Sequence, residues 1–388
     1  MSSGYEFTTN YQLQTAVDLW CSNEASATKT YGHINSWDVS NITSFYGIFH
    51  NKKDFNSDIS DWDVSNGTSF QLMFDGAENF NQDISDWNVS SGKIFEDMFS
   101  NADSFNQDIS DWDVGNGTNF SYMFYGNESF NQDIGNWNVS SGINFHGMFS
   151  RTESFNQDIG DWNVSSGNIF STMFQGTYAF NQDIGDWNVS SGENFWGMFE
   201  DADAFNQDIG DWNVSSGTNF EYMFYYGSHA NASSSFNQDL GNWDVSNGTN
   251  FSYMFYGADL FDQNLSLWDV SSGTAFVKMF VDSLASINQG IPSPPNLSYF
   301  DATTGNDVIK GTKKVDDSLR GNNGNDILSG KGGNDTLFGD SGSDKLYGGK
   351  GKDKLIGGRG KDKLIGGKGK DIFKLSTGKG YDLIKDFE

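Results

Sequence analysis

Tryptophan recurs in this chain at a fixed step. Trp37, Trp62, Trp87, Trp112, Trp137, Trp162, Trp187 and Trp212 fall 25 residues apart, and Trp243 and Trp268 resume the step after a six-residue insertion. A unit of this length cannot bury an apolar face by itself, so a tandem array must bury each face on its neighbours. Repeats with a period in the ~20–50 residue range therefore read as a solenoid.

One unit is FNQDISDWDVGNGTNFSYMFYGNES, from Phe105 to Ser129. Ile109, Trp112 and Val114 follow the L-x-x-L-x-L spacing of a leucine-rich repeat, in which a short strand lines one face. The alternation around Trp112 and Val114 predicts that this pair points inward and that Asp111 and Asp113 face water. Thr118 is placed to cap a short helix carrying Phe120, Met123 and Phe124 on one buried stripe. Gly126 then supplies a left-handed residue to end it. The tryptophan column reads as core. The recurring carboxylates Asp58, Asp83, Asp108, Asp133, Asp158, Asp183, Asp208 and Asp239 read as caps on turn amides, with Asn106 and Gln107 as ladder formers.

The expected class is a leucine-rich-repeat-like α/β right-handed solenoid with an N-terminal capping helix, followed by a second architecture. Residues 1–30 hold the capping helix, drawn from Thr9 to about Ala27 with Leu13, Ala16, Val17 and Trp20 on one face. Ten coils occupy 31–288. A linker at 289–304 carries Pro292, Pro294 and Pro295, and from 305 to 388 the alphabet changes to Gly, Asp, Lys and Leu.

The net charge of −29 is unevenly placed. Residues 1–300 hold 38 acidic and 6 basic side chains, whereas 301–388 hold 14 and 17. So acidic a body repels nucleic acid and anionic membranes and favours divalent cations or solubility. Cys21 is the sole cysteine, so no internal disulfide framework is possible and no zinc spacing is present. Met1–Phe7 lacks the look of a signal peptide, and no apolar run reaches membrane-spanning length. His33, His50, His146 and His229 are scattered, and no nucleophile or metalloprotease motif accompanies them. An enzyme is not expected, because evenly spread carboxylates do not create the unlike environments an acid/base pair needs.

The repeated F-N-Q-D-I-x-x-W-x-V-S and the following M-F resemble the bacterial BspA-like leucine-rich-repeat surface proteins over about residues 5–287. That resemblance implies an extracellular, surface-associated, adhesive protein without catalysis. Most units read S-x-G-x-x-F, as at Ser65–Phe70, where that family has S-N-V-T-N-M; glycine there predicts a tightened corner filled by its partner Phe. The insertion between Tyr225 and Phe236 marks a face where a loop could make a specific contact. Tyr122, Trp196, Tyr222 and Tyr253, with Tyr225, Tyr226 and His229 at the insertion, are the candidates for holding a cell-surface glycan or protein ligand.

From Gly305 onward the chain resembles the RTX (repeats-in-toxin) nonapeptide G-G-x-G-x-D-x-apolar-x, as in SGKGGNDTL at Ser329–Leu337 and GGKGKDKLI at Gly348–Ile356. The resemblance implies a parallel β-roll that binds calcium through Asp307, Asp317, Asp326, Asp335, Asp344, Asp353, Asp362 and Asp371. The turn glycines Gly324, Gly333, Gly342, Gly351, Gly360 and Gly369 belong to the same motif. Calcium wants about six to eight oxygens, and a carboxylate every nine residues beside inward carbonyls is a matching donor set. Lysines at 350, 352, 354, 361, 363, 368 and 370 depart from the pattern, and stacked lysines should weaken calcium binding. Gly378–Phe387 resembles the segment that caps such rolls. The family also implies export through a type I secretion apparatus, with any secretion signal beyond or near Glu388. Nucleic acid and membrane insertion are not expected.

Overall fold

The computed structural model describes residues 4–227, 234–265, 267–280, 300–301, 306, 308–311, 316–374 and 381–386. Two compact units divide the chain: Met1–Gly192 with Ala202–Gln207, and Glu193–Asp201 with Asp208–Glu388.

The first unit opens with two helices, not one: α1 (Asn10–Ser22) and α2 (Glu24–Tyr31). Asn23 makes the break. Its amide donates to the Leu19 carbonyl at 2.7 Å, and its side chain accepts from the Ser26 amide at 3.1 Å. Asparagine competes for backbone groups in this way, which favours caps over helix interiors. Leu13, Ala16, Val17 and Trp20 are buried as the spacing predicts. Polar side chains of α1 also close the open edge of the first coil. Asn10 Nδ2 donates to the Ser44 carbonyl at 2.9 Å and Gln14 Nε2 to the Ile48 carbonyl at 3.0 Å. Carbonyls at the same places in the next coils, Ser69 and Met73 among them, accept from the preceding coil's amides; here the cap supplies the donors.

The coils have the expected inside and outside but not the expected secondary structure. Trp112 and Val114 are buried and Asp111 and Asp113 exposed. Yet this stretch is a pair of tight turns, Trp112 N–H to Ile109 and Gly117 N–H to Val114, and not a strand. The parallel pairing falls instead at one residue per coil, Ser69 to Ile94 to Asn119 to Asn144 to Ile169.

The short helix at 118–124 does not form either. The N–H groups of Phe120, Tyr122, Phe124 and Gly126 donate to carbonyls of Asn144, His146, Met148 and Ser150 in the next coil, at 2.7–2.9 Å. Met123, Tyr125 and Asn127 donate to residues three back. Alternate amides thus knit coils together while the others close turns, and this ladder displaces the i to i−4 bonds of a helix. It requires left-handed residues at Tyr122 (φ 54°) and Gly126 (φ 66°). The first of these places is held by Leu72, Asp97 and Thr172 in other coils, also at positive φ. Each costs on the order of 1 kcal/mol or more, which the intercoil bonds offset.

Apolar columns fill the interior. Phe124 stacks on Phe130, which opens the next unit, at 3.9 Å and on Phe99 and Phe149, its counterparts one unit before and after, at 5.8 Å. From Trp62 to Trp187 the indole N–H of each column tryptophan donates to a carbonyl of the preceding coil, as Trp112 to Ile84 at 3.1 Å and Trp137 to Ile109 at 3.0 Å. A buried tryptophan needs such a partner. At the glycine corner, a Cβ on Gly142 would collide with the ring tip of Phe145, which is fully buried and stacked between Phe120 and Phe170 at 5.7 Å. The phenyl ring therefore occupies the space a branched residue would take. Gly142→Ala is expected to cost about 1–3 kcal/mol as an overpacking change; urea denaturation would show it, and a neutral result would refute the corner argument.

The polar columns are structural too. Ser110 N–H and Gly135 N–H donate to Asp108 and Asp133 Oδ1 at 3.0 Å. Hydrogen bonds from Ser85 and Ser110 hold the Asp83 and Asp108 carboxyls below the usual range. Asn106 Oδ1 accepts from the Asn131 amide at 3.0 Å and from Gln132 Nε2 at 2.9 Å, a ladder repeated along the coils. Asp97 differs. Burial, with Asp75 and Glu96 nearby, pushes its carboxyl up to about 7. Its stabilising contribution is then complete below the unfolded value near 4 and is lost as pH rises towards 7. Asp97→Asn, which keeps the left-handed backbone, should raise stability at pH 8 by about 1–2 kcal/mol after discounting for solvent, and change little near pH 4. Thermal melts at the two pH values would test this, and equal shifts would exclude it.

In the second unit the same coil recurs: Asn219, Asn250 and Ala275 pair in sequence, and Trp243 stacks on Trp268 at 6.4 Å. The insertion, largely outside the described residues, leaves the ladder intact. Phe220 N–H still reaches the Asn250 carbonyl at 2.9 Å, and Phe236 takes the stacking place against Phe224 at 4.2 Å.

The tail is a two-sheet parallel β-solenoid of β1 (Phe300–Asp301), β2 (Val308–Lys310), β3 (Ser318–Arg320), β4 (Ile327–Ser329), β5 (Thr336–Phe338), β6 (Lys345–Lys350), β7 (Lys354–Ile356), β8 (Lys363–Lys368), β9 (Ile372–Lys374) and β10 (Leu383–Lys385). One sheet has the order β1-β3-β5-β7-β9 and the other β10-β8-β6-β4-β2. Strands start at Phe300, ahead of the expected boundary at 305. Leu319 pairs with Leu337 and Leu337 with Leu355, Leu328 with Leu346 and Leu346 with Leu364, and all six are buried. Each is the central residue of its x-apolar-x triplet, the place whose side chain points into the roll.

Candidate functional site

The roll's turns gather oxygens. From Asp335 onward, the Oδ1 of each motif aspartate accepts from the amide of the aspartate one 18-residue coil earlier: Asp335 from Asp317, Asp344 from Asp326 and Asp353 from Asp335, each at 2.8 Å. Asp362 accepts from Asp344 and Asp371 from Asp353 at 3.0 Å. Asp382, which the nonapeptide spacing does not reach, continues the column by accepting from Asp362 at 3.2 Å. The other carboxylate oxygen, Oδ2, is buried and without a hydrogen-bond partner in Asp335, Asp344, Asp353 and Asp362.

Glycine carbonyls converge on those oxygens. A Cβ on Gly330 would run into Asp335 Oδ2 and the Gly348 carbonyl; on Gly348, into Asp353 Oδ2 and the Gly366 carbonyl. Gly339 is placed likewise between Asp344 Oδ2 and the Gly357 carbonyl. These first glycines of the motif were not among the candidates, although the motif contains them. The candidates Gly324, Gly333, Gly342, Gly351, Gly360 and Gly369 all have φ between 126° and 144° and serve differently. Their turns stack so closely that a Cβ on Gly351 would overlap the Gly333 carbonyl, and one on Gly360 the Gly342 carbonyl.

Burial pushes the Asp335 and Asp344 carboxyls up to about 7 and raises those of Asp353 and Asp362. Desolvated carboxylate oxygens facing backbone carbonyls make a hard, all-oxygen donor set, which fits calcium and not zinc. Among the described residues no three His, Cys, Asp or Glu side chains converge on one point; the remaining oxygens are the backbone's. Asp307 lies outside the described residues.

The aromatic candidates separate. Tyr222, Tyr253, Tyr225 and Trp196 lie together and half-buried: Tyr222 stacks on Tyr253 at 4.8 Å, and Trp196 meets Tyr222 edge-on at 6.5 Å. Tyr256 completes the face by stacking on Tyr225 at 5.1 Å, and Lys278 Nζ sits 5.9 Å above the Tyr253 ring. Tyr256 occupies the coil position of Tyr225, one unit on, and the spacing could have found it. Tyr226 is corrected: it is 2 % exposed and packs inside. His229 lies outside the described residues. Tyr122 stands apart, its hydroxyl 2.5 Å from His146 Nε2, while His146 Nδ1 is 2.7 Å from Ser171 Oγ. Burial lowers the His146 pKa, and Ser171 is buried. This chain of contacts joins residues about one coil apart, which no local motif could reveal.

Two family models match. One, described as a Mycoplasma protein of unknown function, DUF285, matches residues 21–134, 107–204, 168–233 and 193–294. The other, the RTX calcium-binding nonapeptide repeat, matches 301–337, 314–346 and 338–373. No curated protein and no solved structure gives a match. Among the described residues no helix is long and apolar enough to cross a membrane. With its repeats accounting for most of the sequence, and a tail of RTX calcium-binding nonapeptides behind them, the chain belongs to the DUF285 family.

Proposed function

We propose that this is a secreted, non-enzymatic surface or adhesion protein, akin to the BspA-like repeats, whose tail serves type I export and folds outside the cell on calcium. The observation that carries the reading is the column of buried, unpartnered Oδ2 atoms beside glycine carbonyls. If these oxygens converge only in the folded roll, ion binding is folding free energy. A calcium-poor cytosol then keeps the tail threadable, and millimolar calcium outside orders it. Titrating the full chain with calcium while following far-UV circular dichroism tests this. A midpoint between micromolar and millimolar is expected; ordering at or below micromolar calcium would remove the export logic.

The half-buried aromatic face favours a second reading, a carbohydrate- or matrix-binding module. Trp196→Ala should then abolish glycan-array binding by the full chain. An RTX-type hydrolase has less support, since Ser171, beside His146, is buried.

A further inference from the structure

Strands β6 and β8 run in register with Lys350 opposite Lys368. Lys352 and Lys370 follow at equivalent places on the turns that leave these strands, one 18-residue coil apart. All four lysines are exposed, and among the described residues none forms an ion pair. Like charges facing each other on adjacent strands destabilise a sheet, so the fold gains nothing from this row.

The surroundings deepen the positive potential. Between residues 345 and 374 there are ten basic and three acidic side chains, and of the acids Asp353 and Asp362 are buried in the roll. The outward charge here is nearly all positive, whereas residues 1–300 carry 38 acidic against 6 basic groups. A polyanion would be repelled by the repeats and drawn to this edge. The lysines stand in rows one strand spacing apart, ~4.8 Å, which suits an extended polymer with charge along its length better than a compact anion. The edge offers point charges and no arginine fork, and the nearby Tyr347 ring has Lys363 Nζ 5.9 Å above it. It therefore lacks the forks and free stacking platforms typical of nucleic-acid sites.

We propose that the Lys350, Lys352, Lys368 and Lys370 edge docks an acidic polysaccharide, and does so only when the roll is folded. This inference rests on the calcium-folded roll argued above. The test is chromatography of the full chain on heparin-agarose and on neutral dextran, in calcium and in chelator, with circular dichroism alongside. In calcium the chain should be retained on heparin alone and released by salt. A variant with Lys350→Gln, Lys352→Gln, Lys368→Gln and Lys370→Gln should elute at about half the salt or less while keeping its calcium-induced change in dichroism. Arg359→Gln with Lys361→Gln, on the opposite turn, should leave retention unaltered. Retention equal in chelator, or equal in the fourfold variant, would overturn the proposal. So would tighter hold on duplex DNA than on heparin, or calcium-dependent self-association abolished by the same substitutions without heparin retention. A missing dichroism change would instead refute the calcium-folded roll.

Discussion

Chelating calcium is expected to unfold the tail and leave the repeats as they were. The apo roll would have to hold ionised carboxylates one strand spacing apart. At an effective dielectric of about 20, each neighbouring pair would then cost about 3 kcal/mol. Otherwise it would have to keep them protonated, which burial permits only up to a pH of about 7 at Asp335 and Asp344. The repeat coils carry no such debt, since Asp108, Asp133 and Asp158 are exposed to water and their carboxylates accept turn amides, with no buried oxygen left over. All twelve tryptophans lie at or before Trp268, so their fluorescence reports the repeats alone. In chelator at pH 8, the emission maximum should stay fixed while amide exchange across 316–374 loses its protection. Unchanged protection in that stretch would mean that the roll stands without metal.

Trp162→Ala should be the most damaging single change in the repeats. Trp162 is 3 % exposed, stacks on Trp137 at 6.5 Å and Trp187 at 6.4 Å, and donates its indole N–H to the Ile134 carbonyl at 3.0 Å. Truncation leaves a cavity worth about 3–5 kcal/mol, and a buried carbonyl without its donor adds about 1–3 kcal/mol. In a solenoid this loss falls on both interfaces of one coil, so the melt should broaden or split as well as shift. Trp162→Phe, which keeps most of the volume, isolates the hydrogen bond and should cost about 1–3 kcal/mol. A loss below about 1 kcal/mol for the alanine variant would show that the column is not the core it is taken to be.

Much of this could be read from residues in order, and the failures have one origin. The tryptophan and phenylalanine columns, the glycine corner and the aspartate caps followed from which positions recur. The short helix at Phe120, Met123 and Phe124 was a fair expectation from i, i+3, i+4 spacing. It lost because the amides of Phe120, Tyr122 and Phe124 find carbonyls in the next coil, a partner that local spacing does not contain. The burial of Tyr226 likewise depends on what lies across from it. In the roll, the nonapeptide located the aspartates but not the convergence of Oδ2 with the Gly348, Gly357 and Gly366 carbonyls, nor the continuation through Asp382.

By itself, then, the sequence determined the period, the inward and outward residues and the change of alphabet at the tail, because these depend only on which side chains must leave water. Tertiary structure decided how each coil bends, which amides pair between coils, which aromatics remain reachable and where carboxylate meets carbonyl. Those outcomes depend on hydrogen bonds between residues 18 or 25 apart, and their partners meet only once the coils have stacked.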